Sequence, residues 1–256
     1  MTEPTTPQTP SPNTFETEEP LRKGEYSRQG EFHRNLNPNW SYYPVYVNKV
    51  ALIDELLRKY GCQSGKTLDA GCGEGVLVEK YAQQGWDIKG VDKNYASAYV
   101  EEGSITQLPF ADNTFDTLLC LDVLEHLYYN DQKQAIKEIR RVVKPGGTLL
   151  FSCPNLAHFT SRLKLMFRGK LLRTASVGHH PGDRPMLEYE ELFEKAGFRI
   201  QERQGIFPTV PPIYRFVMRH PAKSAGLLRL LRKVPFPVGW NFQVLFVCKL
   251  QKEVAS

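Results

Sequence analysis

Nowhere in the 256 residues is there an apolar run of 18 or more, and the start shows no charged-then-apolar leader. A helix needs about 20 predominantly apolar residues to span a bilayer, so a transmembrane or secreted protein is not expected. Cysteine is scarce too: the five, at positions 62, 72, 120, 153 and 248, form no Cys-x-x-Cys pair and no regular framework. Neither a disulfide nor a metal site is expected from them, which points to a reducing compartment and the cytoplasm. Acidic residues are missing from two stretches, Arg162 to Arg173 and Arg203 to Lys249. Residues 1–20 show the opposite bias, with four glutamates, five prolines and six threonines but no Lys or Arg. Such a segment cannot bury enough apolar surface to offset its ordering entropy, so 1–20 reads as a disordered tail. Its charge of −4, set against the overall +5, leaves +9 on residues 21–256. With 41% hydrophobic residues, the chain can build one full α/β core.

What is present centres on Leu68-Asp69-Ala70-Gly71-Cys72-Gly73-Glu74-Gly75, followed roughly 20 positions later by Asp92 at the end of a second apolar segment. A glycine turn lets a ligand approach the backbone where a Cβ would collide. An acid at the tip of the neighbouring strand can accept hydrogen bonds from ribose hydroxyls. Thr67–Ala70 reads as a short strand and Val76–Gln84 as a helix stopped by Gly85, so the order is that of a βαβ unit. Dinucleotide sites follow G-x-G-x-x-G and face a pyrophosphate. Here the spacing is G-x-G-x-G, and Asp69 stands where an anion would meet a carboxylate, so a zwitterionic amino acid beside a sulfonium suits the site better.

Further blocks follow in order: Leu108-Pro109-Phe110 with Asp112 to Asp116, a strand over Phe115–Leu121 running into Asp122-Val123-Leu124-Glu125-His126-Leu127, and Lys144-Pro145-Gly146-Gly147 before a strand over Thr148–Ser152. Across residues 66–155 this pattern resembles the class I S-adenosylmethionine-dependent methyltransferases, particularly the branch of the ubiquinone-biosynthesis O-methyltransferases. The resemblance implies a Rossmann-like seven-stranded sheet with an antiparallel last strand and helices on both faces, filling residues 21–256. It implies S-adenosyl-L-methionine as cofactor, held by Asp69, Gly71 and Gly73, with Asp92 on the ribose, Ser104 and Ile105 facing adenine and Leu121 lining the cleft. It also suggests Lys49, on a helix expected over Val47–Tyr60, as the basic residue that meets the cofactor's carboxylate. Glu188–Ala196 with Gly197-Phe198 resembles the family's junction into a sixth strand, Arg199–Gln201, and Asn241–Leu250 is the natural seventh.

Methyl transfer from a sulfonium asks the protein for positioning, desolvation and removal of the acceptor's proton. Histidine is the usual base near neutral pH. His126, just past the fourth strand, and His180, before a helix over Met186–Ala196, are the candidate catalytic residues. Residues 156–185 and 206–240 read as acceptor-side insertions. Both interleave Leu, Met and Phe with Arg and Lys, which suits an amphiphilic acceptor and a peripheral contact with a membrane. The expected activity is O-methylation of a small quinone- or lipid-like molecule. RNA methylation is the alternative for so basic a body, but no base-flipping motif follows the fourth strand, and no nucleic-acid partner is expected. A non-catalytic cofactor-binding scaffold is the third reading.

Overall fold

The computed structural model describes residues 33–173, 175 and 177–251, so the tail expected over residues 1–20 lies outside the described part. In chain order the elements are α1 (Tyr43–Lys59), β1 (Lys66–Ala70), α2 (Val76–Ala82), β2 (Asp87–Asp92), β3 (Val100–Glu102), β4 (Phe115–Leu121), a 3-10 turn (Leu124–His126), α3 (Tyr129–Val142), β5 (Val143–Pro154), α4 (Phe159–Arg168), α5 (Met186–Lys195), β6 (Phe198–Gly205), α6 (Pro211–Arg219), α7 (Pro221–Leu231), a second 3-10 turn (Val238–Trp240) and β7 (Gln243–Leu250).

The seven strands form one sheet in the order β3-β2-β1-β4-β5-β7-β6. The first five run parallel, and β7 lies antiparallel between β5 and β6. Strand side chains alternate between faces, and both faces here are covered, so the central strands are apolar at almost every position. Leu118 and Cys120 of β4, Leu149 and Phe151 of β5 and Phe246 of β7 pack on one face with Ile136 and Ile139 of α3 and Phe193 of α5. Leu119, Leu150 and Leu245 point the other way, onto Leu52, Ile53 and Leu56 of α1, Val217 of α6 and Leu228 of α7.

Several boundaries differ from the sequence expectation for local reasons. Helix α1 begins at Tyr43 rather than Val47, because Pro44 occupies its first turn, where a missing N–H costs nothing. Strand β5 starts at Val143, five residues early: Val143 pairs with Phe115, and the Lys144-Pro145-Gly146-Gly147 turn is absorbed as an irregularity in the ladder. Gly147 fits there because an added Cβ would lie 2.7 Å from Val143 Cγ1. Strand β6 extends to Gly205, well beyond Gln201. The two expected insertions contain α4 and the pair α6–α7. Among the described residues no helix is long and apolar enough to cross a membrane.

Candidate functional site

The strand order reverses between β1 and β4, and in an open α/β sheet such a switch point leaves a crevice at the strands' carboxyl ends. Asp69 on β1, Asp92 ending β2 and Asp122 just after β4 all converge there. The turn after β1 folds tightly: Gly71 and Gly73 take φ of 81° and 55°, and Gly71 N donates to the Val91 carbonyl at 2.7 Å. A Cβ on Gly71 would sit 2.5 Å from Val123 Cγ2, so this glycine lets the turn pack against the loop after β4. A Cβ on Gly73 would meet nothing within 4 Å, so it borders open space. The Asp92 carboxylate is aimed by two backbone donors, Gly73 N and Asn94 N, each at 2.8 Å.

The cleft is short of positive charge. Asp69 is buried, and burial together with the nearby charge of Asp92 raises its carboxyl to about 7, against a smaller opposing pull from Lys49. Among the described residues Glu74 Oε2 is buried without a hydrogen-bond partner. A ligand carrying an ammonium and a sulfonium would relieve both, whereas a pyrophosphate would aggravate them. These residues therefore fit S-adenosylmethionine. His33 and Arg34 strap the preceding segment over the same turn: His33 N donates to Glu74 Oε1 at 3.2 Å, and Arg34 Nη2 to the Glu74 carbonyl at 3.2 Å.

Other expected positions fall less simply. The Ser104 hydroxyl shares a 2.7 Å hydrogen bond with Thr106 Oγ1 and accepts from Thr106 N, so it serves a local turn after β3. The Ile105 side chain is buried in the core. Leu121 is half-buried at the end of β4. Lys49 Nζ is paired with Asp122, and lies 5.6 Å from the ring centroids of both Tyr42 and Tyr46. Asp122, with φ of 56°, also accepts from Tyr42 Oη, Ser152 Oγ and Gln243 Nε2. Burial would raise its carboxyl, but Lys49 and these donors outweigh that and hold it below the ordinary range. An acid immediately before Val123-Leu124-Glu125-His126 is the sequence sign of this hub, which sequence reading missed as a site residue; its left-handed backbone is seen only in the structure.

The histidines expected as bases do meet. Their rings stand edge to face with centroids 4.6 Å apart. The loop carrying His180 is bolted to the 3-10 turn carrying His126. Gly182 N donates to the Glu125 carbonyl at 3.0 Å, and Gln132 Nε2 of α3 donates to the carbonyls of Leu124 and Gly182 at 2.7 and 2.8 Å. No side chain fits at position 182, where a Cβ would lie 2.0 Å from the Leu127 carbonyl oxygen. Glu125 is buried beneath the pair, and burial and the charge of Asp122 raise its carboxyl far above the ordinary range.

Comparison with known proteins agrees with this geometry. Residues 68–151 match the family model described as a methyltransferase domain. A probable S-adenosylmethionine-dependent methyltransferase of Mycolicibacterium smegmatis is 30% identical over 156 residues, covering 57% of this chain and 56% of the relative. A ubiquinone biosynthesis O-methyltransferase of Actinobacillus pleuropneumoniae is 27% identical over 191 residues, covering 66% and 81%. The chain thus spans little more than half the length of the first relative and most of the second. Among solved structures, a Thermotoga maritima protein described as a possible histamine N-methyltransferase superposes with a TM-score of 0.55 at 18% identity, over 88% of this chain and 98% of that one, which speaks for the fold. Sheet order, glycine turn and acid-lined cleft agree with these likenesses, which together support a class I S-adenosylmethionine-dependent methyltransferase.

Proposed function

We propose that this protein methylates an oxygen of a small, amphiphilic, quinone- or lipid-like acceptor. S-adenosylmethionine, when bound, supplies an activated methyl group on a sulfonium. Asp69, Gly71, Gly73 and Asp92 hold it, Asp92 through the ribose, while Ser104, the Ile105 backbone and Leu121 border the adenosine. His126 and His180 face the acceptor, where an imidazole takes the hydroxyl proton as the oxygen gains its methyl group. The observation that carries this reading is the meeting of those two rings at the carboxyl end of β4, on a loop from the 156–185 insertion locked by Gly182.

An amphiphilic acceptor is supported by the insertions themselves. On α4, Leu165, Met166 and Phe167 are 46, 67 and 76% exposed, next to Arg168 and Lys170. An exposed apolar tip with basic neighbours suits the interface of an anionic membrane, where such an acceptor would reside. The test is radiolabelled methyl transfer from S-adenosylmethionine into a lysate separated into small-molecule, lipid, RNA and protein pools. Label in the lipid-extractable or small-molecule pool is the expected outcome; label in RNA alone overturns the reading.

A further inference from the structure

The amino-acid end of the cofactor carries an ammonium and a carboxylate, and the acids of the cleft answer only the first. Cations near the glycine turn are already committed: Lys49 to Asp122, and Arg34 to Glu79 and the Glu74 carbonyl. His33 Nδ1 lies 3.4 Å from Glu74 Oε1, and burial lowers its imidazole below the ordinary value, so it is neutral near pH 7. Tyr46, in the first turn of α1, differs from all of these. Its ring centroid lies 5.1 Å from that of His33 and 6.2 Å from that of Trp40, which places it beside the turn carrying Glu74. Its hydroxyl has no hydrogen-bond partner among the described residues. Burial, with the charges of Glu74, Asp69 and Asp122, raises the phenol to about 12, so it is a proton donor throughout the neutral range. Asp69 and Glu74 lie on β1 and the turn after it and Asp122 after β4, so a phenol that feels all three stands over the cleft between them.

We infer that the Tyr46 hydroxyl donates to the α-carboxylate of bound S-adenosylmethionine, the role that the family resemblance gives to Lys49. The two residues are three apart on α1 and share a face of the helix, so spacing in the sequence does not separate them. Their partners do. Lys49 meets a ligand only by leaving Asp122, which strands a carboxylate in a poorly solvated place. Tyr46 gives up nothing but water, because its hydroxyl breaks no bond within the protein. The carboxylate is common to S-adenosylmethionine and S-adenosylhomocysteine, so this hydrogen bond holds cofactor and product alike and leaves the barrier of the chemical step unchanged.

S-adenosylhomocysteine and its analogue lacking the carboxyl group are titrated calorimetrically into the full-length protein, with no acceptor present. Tyr46→Phe keeps the ring against His33 and Trp40 and removes only the hydroxyl. It should weaken S-adenosylhomocysteine binding at least about tenfold, the worth of a hydrogen bond to a charged group, and leave the analogue within about twofold. Retained binding of the analogue also reports that the variant is folded. Lys49→Met, run alongside, should show no such preference between the two ligands. Should Tyr46→Phe not fold, fluorotyrosine placed at position 46 keeps the hydroxyl and gives a single fluorine resonance, which must shift further with S-adenosylhomocysteine than with the analogue. Undiminished S-adenosylhomocysteine binding by Tyr46→Phe, an equal loss for both ligands, equal fluorine shifts, or a carboxylate-selective loss in Lys49→Met instead overturns the inference. It rests on the cofactor reading of Asp69 and Gly73, and the two fail separately: binding of neither ligand by the wild type sinks both, whereas binding of both ligands keeps that reading whatever Tyr46→Phe does.

Discussion

Two glycines with the same backbone problem separate conformational strain from ligand contact. Gly73 and Gly85 both have positive φ, 55° and 85°, and an added Cβ would meet nothing within 4 Å at either. Alanine should therefore cost each about 1 kcal/mol of stability, the left-handed penalty. Only Gly73 borders the proposed cofactor. Gly73→Ala is expected to weaken S-adenosylhomocysteine binding by tenfold or more in calorimetry, while Gly85→Ala leaves it unchanged. Equal losses would mean that the turn is sensed only through global stability. Asp69 yields a pH prediction. Its carboxyl is raised to about 7, so below that pH it is protonated in the empty cleft, and a cationic ligand must displace the proton to gain the charge. Affinity for S-adenosylmethionine should rise with pH towards about 7, by up to tenfold per unit, and level off above. Asp69→Asn should flatten the profile; an unchanged slope would place the titrating group elsewhere. At this scale the acid-and-glycine pattern was legible because each residue type has few reasons to occupy such positions. Glu125 was read only as part of a motif, since burial without a partner has no signature in sequence.

Elements were legible in proportion to how far their pattern was local. Strand β4 falls on its expected bounds, Phe115–Leu121, because a short apolar run between polar turns has one reading. Strand β5 is expected to start only at Thr148, because Lys144-Pro145-Gly146-Gly147 reads as a turn before it, whereas Val143 already pairs with Phe115 of β4. Helix α6 went unread, since Pro211-Pro212 looks like a breaker until both are seen in the helix's first turn. Helix α4 shows a sequence feature whose meaning depends on exposure. Capped by His158, which accepts from Ser161 N, and ended by Gly169 at φ 62°, it presents Met166 and Phe167 outward instead of burying them. Burying such side chains in a lipid interface contributes about 2 kcal/mol each. Replacing both by aspartate should reduce co-sedimentation with phosphatidylglycerol vesicles by tenfold or more and change folding stability by no more than about 0.5 kcal/mol. Equal binding by the variant would remove the membrane contact from the proposal.

Over the whole molecule, one carboxylate ties together parts that are far apart in sequence. Asp122 follows β4, Lys49 comes from α1 and Tyr42 immediately precedes that helix, Ser152 belongs to β5 and Gln243 to β7, and all four donate to it. The single Tyr42 Oη proton is shared between Asp122 Oδ2 at 3.2 Å and Gln243 Oε1 at 2.8 Å, which closes the network. The pair therefore fastens the first described helix over the switch point, forming one wall of the cleft. Lys49 is only 9% exposed and Asp122 21%. Removing either partner leaves the other charge poorly solvated, which should cost about 3 kcal/mol, whereas removing both leaves no stranded charge. Asparagine tolerates the left-handed backbone at position 122, so Asp122→Asn changes the charge without adding strain. Chemical denaturation of Lys49→Met, Asp122→Asn and the double variant should give a double-variant loss well below the sum of the singles. If Lys49 instead served mainly to meet the cofactor's carboxylate, as the family resemblance suggested, Lys49→Met would lower S-adenosylhomocysteine affinity with little loss of stability. The two outcomes separate a clamp on the fold from a ligand contact in the same measurement series.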